Sequence, residues 1–108
     1  KIAVLRNTAD QRIIACARLR PIGQYRLLTG MLVHPEYRGQ QLGHLLLQHM
    51  QAEMPAQLVF TFALTPLTGF YKQQNFIVIS DAPNDIQQRF ECYKNQGKDL
   101  TLMMFNKP

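Results

Sequence analysis

The stretch from Leu27 to Met50, L-L-T-G-M-L-V-H-P-E-Y-R-G-Q-Q-L-G-H-L-L-L-Q-H-M, leaves few folds open. An apolar strand over 27–33 runs into His34-Pro35-Glu36-Tyr37. Pro35 has no N–H for a ladder and disfavours the helical region at His34, so the strand ends there. Arg38-Gly39-Gln40-Gln41 forms a loop, and an amphipathic helix follows with Leu42, Leu45, Leu46 and Met50 expected on one buried face. A helix start presents backbone N–H groups without intrahelical partners and a partial positive charge. Small residues such as Gly39 and Gly43 let an anion approach, and an arginine such as Arg38 can fork onto phosphate oxygens. The local reading is a phosphate cradle. Two glycines at such a corner also serve as plain turn and packing glycines, so the pattern alone leaves both readings open.

The rest of the chain supplies the elements around this unit. Residues 1–6 (K-I-A-V-L-R) read as a short strand, and 7–11 as a turn. Over 12–20 the residues alternate, with Ile13, Ala15, Ala17 and Leu19 on one face. Pro21-Ile22-Gly23-Gln24 is expected to turn the chain into the strand 25–33, giving an antiparallel meander. Gly30, in mid-strand, suggests a bulge or a close backbone approach. Met54-Pro55-Ala56 is expected to end the first helix, and 58–64 (L-V-F-T-F-A-L) reads as a strand buried on both faces. A short helix through Phe70 and Tyr71, a strand over 76–79 and a loop of capping candidates over 80–85 come next. A third helix carries Ile86, Phe90 and Tyr93 and runs to about Gln96, stopped by Gly97. A last strand covers 100–105. The order βββ-α-β-α-β-α-β implies an α/β fold, one domain of 108 residues built on a mixed sheet.

Two blocks resemble a known family. V-H-P-E-Y-R-G-Q-Q-L-G is similar to the acetyl-CoA signature of the GNAT superfamily of N-acetyltransferases: Gln or Arg, two residues, Gly, one residue, then Gly or Ala. Arg38 takes the first position and Gly43 the last, while Gln41 stands where the family usually has the inner glycine. The segment Gly69-Phe70-Tyr71-Lys72-Gln73-Gln74-Asn75-Phe76 resembles the family's F-Y-x-x-x-G-F block, with Asn75 in place of glycine. Asn is the non-glycine residue best suited to positive φ. The resemblance implies a GNAT-like acyl-CoA N-acyltransferase fold lacking the usual N-terminal strand and helices. Either that part precedes this stretch, or a second subunit of a homodimer supplies the wall it would form.

It also implies transfer of an acetyl group from acetyl-CoA to an amine. Met31, Leu32 and Val33 would polarise the thioester through their N–H groups. Arg38, Gly39, Gln40, Gln41, Leu42 and Gly43 would hold the pyrophosphate, with Phe70 beside the cofactor. Tyr71 aligns with the family's general acid. The general base is unassigned: strands 25–33 and 58–64 carry no carboxylate, and Glu36 and His34 read as turn and corner residues. A water chain, or an amine that enters already neutral, would serve instead.

Composition bounds the alternatives. The net charge of +5 is contributed by residues 1–26, and the remainder balances six cations with six anions. Solvated strand faces account for this, and a nucleic-acid surface is the other reading, though few aromatics are interleaved with the arginines. Cys16 and Cys92 lie far apart with no metal-ligand spacing, which fits free thiols in a reducing cytoplasm and no metal site. No apolar run approaches a membrane span. A catalytically degenerate acyl-CoA sensor and a basic nucleic-acid module stand as alternatives to an enzyme.

Overall fold

The computed structural model describes residues 2–37, 41–55 and 57–106. Its elements follow the expected order: β1 (Ile2–Arg6), β2 (Ile13–Ile22), β3 (Tyr25–Val33), α1 (Leu42–Met50), β4 (Val59–Leu64), α2 (Thr68–Gln73), β5 (Phe76–Val78), α3 (Asn84–Lys94) and β6 (Leu100–Phe105). The strands form one sheet in the order β1-β2-β3-β4-β6-β5. Every neighbouring pair is antiparallel except β3 with β4, which α1 connects as a parallel pair.

The central strands are apolar throughout because consecutive residues feed different cores. Leu28, Val59 and Met103 pack with Leu46, Leu47 and Met50 of α1. Their neighbours Leu27, Phe60 and Leu102 pack with Ile86 and Phe90 of α3. Helices on both faces therefore remove the polar alternation that a half-exposed strand shows. On β2, Ala15 and Ala17 are small enough for α1 to lie close to the sheet.

Several sequence-based expectations shift. The buried face of α1 is Gly43, Leu46, Leu47 and Met50, and Leu45 is 42 % exposed. The apolar arc is thus rotated by one position, because Leu47 rather than Leu45 faces the sheet. Ile13 is exposed although Ala15, Ala17 and Leu19 are buried, since a register shift at Leu5/Arg6 breaks the β1–β2 ladder beside it. β2 continues through Pro21 and Ile22, and Gly23-Gln24 alone make the turn. Pro21 is tolerated because its partner Arg26 directs its amide away from β2, to the Leu58 carbonyl (2.9 Å). α1 ends at Met50 and runs into a 3-10 turn over Gln51–Glu53, ahead of the expected Met54-Pro55 stop. The loop before α3 supplies no side-chain cap: Pro83 holds the N-cap position, and Gln87 Oε1 reaches back to accept the Ala82 amide (3.2 Å). α3 itself stops at Lys94, three residues before Gly97.

Asn75 does adopt φ 69°, as its place in the second block requires. Three glutamines also occupy this left-handed region, Gln11, Gln41 and Gln57. At Gln57 (φ 66°) the side chain is exposed and the amide donates to the Phe105 carbonyl at 2.8 Å. A residue with a Cβ pays about 1 kcal/mol there, and glycine does not. Gln57→Gly is expected to stabilise the fold by about 0.5 kcal/mol, after the extra unfolded-state entropy of glycine is subtracted. Calorimetric melting should show a midpoint about 2–4 °C higher.

Candidate functional site

The parallel pairing of β3 with β4 is short. Arg26, Leu27 and Leu28 align with Val59, Phe60 and Thr61, and there it stops. Beyond that point β3 stays with β2, while β4 stays with β6. Gly30 marks the divergence. Its φ is +64°, and the β2–β3 register slips between the Arg18–Thr29 and Cys16–Leu32 pairs, so Gly30 and Met31 face Ala17 alone. This is the expected bulge. A bulged strand bends, and the sheet splits into a V.

Thr61 closes the base of the V. It is the one polar side chain in the run V-F-T-F-A-L and is only 2 % exposed. Its hydroxyl donates to the Leu28 carbonyl across the gap at 3.1 Å. A buried hydroxyl without a partner would be costly, so this bond fixes the Thr61 rotamer.

Two cavities open beside the V. One, of about 510 Å³, is lined by Leu28, Thr29, Gly30, Thr61, Phe62, Tyr93 and Lys98 among others. The second, of about 620 Å³, is lined by Met31, Leu32, Val33, Gln41, Leu42, Gly43, His44 and Phe70 among others. Tyr71 lines both. It sits on α2, buried, with the rings of Phe70 and Phe76 edge-on at 5.0 and 5.7 Å. Burial pushes the Tyr71 phenol above the ordinary tyrosine range, and a hydrogen bond with the Thr61 side chain partly offsets this. The phenol therefore carries its proton at neutral pH.

The structure brings Met31, Leu32, Val33, Gln41, Leu42, Gly43, Phe70 and Tyr71 to one cavity. Arg38, Gly39 and Gln40 lie outside the described residues. Gln41 is the N-cap residue of α1, with φ 59°, ψ 28° and no side-chain capping bond. Gly43 is a packing glycine as well: a Cβ there would lie 3.3 Å from Cζ of Phe70. His34 and Glu36 belong elsewhere. The Glu36 amide donates to His34 Nδ1 (3.2 Å), and Arg12 lies 3.3 Å from His34 Nε2 and 3.9 Å from the Glu36 carboxylate. Among the described residues, no Asp or Glu lines either cavity beside Tyr71. Nor does any group of three His, Cys, Asp or Glu stand ready to hold a metal ion. No described helix is long and apolar enough to cross a membrane.

Sequence reasoning missed Thr61, His44 and Gln74. Thr61 carried a signal, a lone hydroxyl in a doubly buried strand. The contact of His44 with Gln74 joins residues thirty positions apart, which periodicity cannot reveal.

The sequence profile of the acetyltransferase (GNAT) domain matches residues 2–78. None of the curated proteins matches by sequence. Among solved structures, N-acetylglutamate synthase from Neisseria gonorrhoeae, complexed with coenzyme A and N-acetyl-glutamate, superposes with a TM-score of 0.74 at 15% identity. The match covers 98% of this chain but only 26% of that one, so the chain spans about a quarter of that relative. Rv2747 from Mycobacterium tuberculosis, in complex with CoA and NLQ, gives 0.75 at 13% identity, covering 100% of this chain and 76% of that one. An acyl-CoA N-acyltransferase from Pseudomonas aeruginosa gives 0.65 at 17%, covering 98% and 67%. At these identities the likeness is one of fold.

Packing between Gly43 and Phe70 yields a direct test. Gly43→Val is expected to cost about 1–3 kcal/mol by overpacking, read as a lower denaturant midpoint. Gly43→Ala, whose Cβ needs only a few tenths of an ångström, should cost less than half as much. Adding Phe70→Leu to Gly43→Val should show a coupling of about 1 kcal/mol, because the two positions share one space.

Proposed function

Since the chain belongs to the GNAT acetyltransferase family, we propose that it transfers an acetyl group from acetyl-CoA to a primary amine by direct attack on the thioester. The observation that carries this reading is the V between β3 and β4, with Tyr71 lining the cavities on both sides. The larger cavity, beside the start of α1, takes the donor. Amides from Arg38 to Gly43 hold its diphosphate, helped by the positive end of the helix. Amides of the bulged segment Met31–Val33 polarise the thioester carbonyl in the manner of an oxyanion hole. The smaller cavity takes the amine.

The amine nitrogen attacks the carbonyl carbon, a C–N bond forms and the C–S bond breaks. Tyr71 gives its proton to the departing thiolate, whose conjugate acid has a pKa near ~8.5. The surplus proton of the amine leaves to solvent, and the phenol is restored from solvent. With no carboxylate lining the cavities among the described residues, the amine reacts as its free base.

Calorimetry with acetyl-CoA, followed by CoA release against a panel of amines, tests the whole. Failure to bind acetyl-CoA would end this reading. Binding without release on any amine would favour an acyl-CoA sensor instead. Tyr71→Phe is expected to lower kcat about 10²-fold while leaving the KM for acetyl-CoA within about threefold. Because burial raises the Tyr71 pKa, its acid form persists through neutral pH and is lost only as pH rises through the raised value. The alkaline limb of kcat due to Tyr71 should therefore lie above about 10. A limb near ~8.5, or unchanged turnover in Tyr71→Phe, would remove this role.

A further inference from the structure

Four polar side chains between α1 and the end of α2 are wired in a fixed order. His44 Nδ1 lies 2.6 Å from Gln74 Nε2. Gln51 Nε2 donates to the Gln74 main-chain carbonyl (3.0 Å) and to Gln74 Oε1 (3.2 Å). Asn75 Nδ2 donates to Gln51 Oε1 (3.0 Å). Side-chain amides can be turned end for end, so their order needs an anchor. The anchor is the Gln74 main-chain carbonyl, which can only accept. Gln51 must therefore present its nitrogen there, and that nitrogen also meets the side-chain oxygen of Gln74. What remains for His44 is the amide nitrogen of Gln74, a donor. An imidazole nitrogen facing a donor at this distance carries no hydrogen. Gln74 is 3 % exposed, so water does not relieve the alternative of two opposed donors. The ring hydrogen of the His44 imidazole is therefore on Nε2.

The geometry points to His44 as a donor-binding residue whose Nε2–H bonds a diphosphate oxygen of acetyl-CoA, with Gln74 as the positioning residue that fixes the tautomer. This rests on the acetyltransferase reading of the same cavity. The ring lines the cavity together with Gln41, Leu42, Gly43 and Phe70. Its plane is held by Phe70, with ring centroids 4.5 Å apart. Since Nδ1 is turned to Gln74, the Nε2–H lies on the other side of the ring. His44 is also the third residue of α1, in the turn where the helix favours an anion.

Long-range 1H–15N spectra of the labelled chain at alkaline pH read the tautomer without any variant. A single Nε2–H form is expected, and an Nδ1–H form, or an average of the two, would overturn the proposal. Calorimetry with CoA then tests the contact. His44→Phe keeps a ring against Phe70 and should weaken CoA about tenfold, as for one hydrogen bond to a charged oxygen. His44→Gln, whose amide nitrogen reaches the place of Nε2, should stay within about threefold of wild type. Pantetheine, which lacks the diphosphate, should bind wild type and His44→Phe alike. In Gln74→Leu the spectrum should show mixed tautomers, and CoA should bind more weakly than to wild type. If wild type binds CoA and His44→Phe binds it equally, this role falls while the acetyltransferase reading stands. If wild type binds no CoA, both fall. Melting curves of each variant separate lost contact from lost fold.

Discussion

Everything in the site depends on how few residues of β3 and β4 are allowed to pair. A parallel ladder that continued past Leu28 and Thr61 would fill the space where the two cavities lie. Splitting a sheet normally strands backbone donors and acceptors, which is costly when they are buried. Here each strand keeps its other neighbour, β2 for β3 and β6 for β4, so only one edge of each is released. The release occurs where Gly30 takes φ +64°, a conformation that side-chain-bearing residues rarely adopt. The bulge bends β3 away from β4 where their pairing ends. One glycine thus marks where the cleft begins.

Thr61 limits that divergence. Its hydroxyl holds the Leu28 carbonyl at the last paired position and shares a hydrogen bond with Tyr71. This matters because burial acts on the phenol in two opposing ways. It keeps Tyr71 protonated, as the proposed general acid must be, but it also destabilises the phenolate formed when the proton leaves. Thr61 can work against the second effect only by turning its single hydroxyl hydrogen from the Leu28 carbonyl to the phenolate. A valine of similar shape would preserve the strand and remove that balance.

The elements were legible because their apolar periods are clean. β3 and β6 begin and end where the sequence places them, and Asn75 takes the positive φ its position in the F-Y-x-x-x-G-F-like block demands. What failed had tertiary causes. Whether Leu45 or Leu47 faces the sheet depends on how α1 rolls over Ala15 and Ala17. Whether Pro21 ends a strand depends on which way the Arg26 amide points. The polar wiring of His44, Gln51, Gln74 and Asn75 joins side chains from two elements and has no periodic signature. Of the cradle, Gln41, Leu42 and Gly43 are found at the cavity, and Arg38 to Gln40 fall outside the described residues.

Gln41 shows why a glycine pattern can lose a member without losing its geometry. A glycine in such a loop does two separable things: it permits left-handed φ, and it leaves room where a Cβ would stand. At position 41 the first is in use, since φ is 59°, and the exposed residue lines the cavity. A glutamine can hold that conformation for about 1 kcal/mol. At position 43 the second is in use, because Phe70 already occupies the space at 3.3 Å. Any side chain there asks Phe70 to give by at least a few tenths of an ångström, whatever its φ. At 43 the demand is for space, and at 41 only for φ, which glutamine meets at that modest cost.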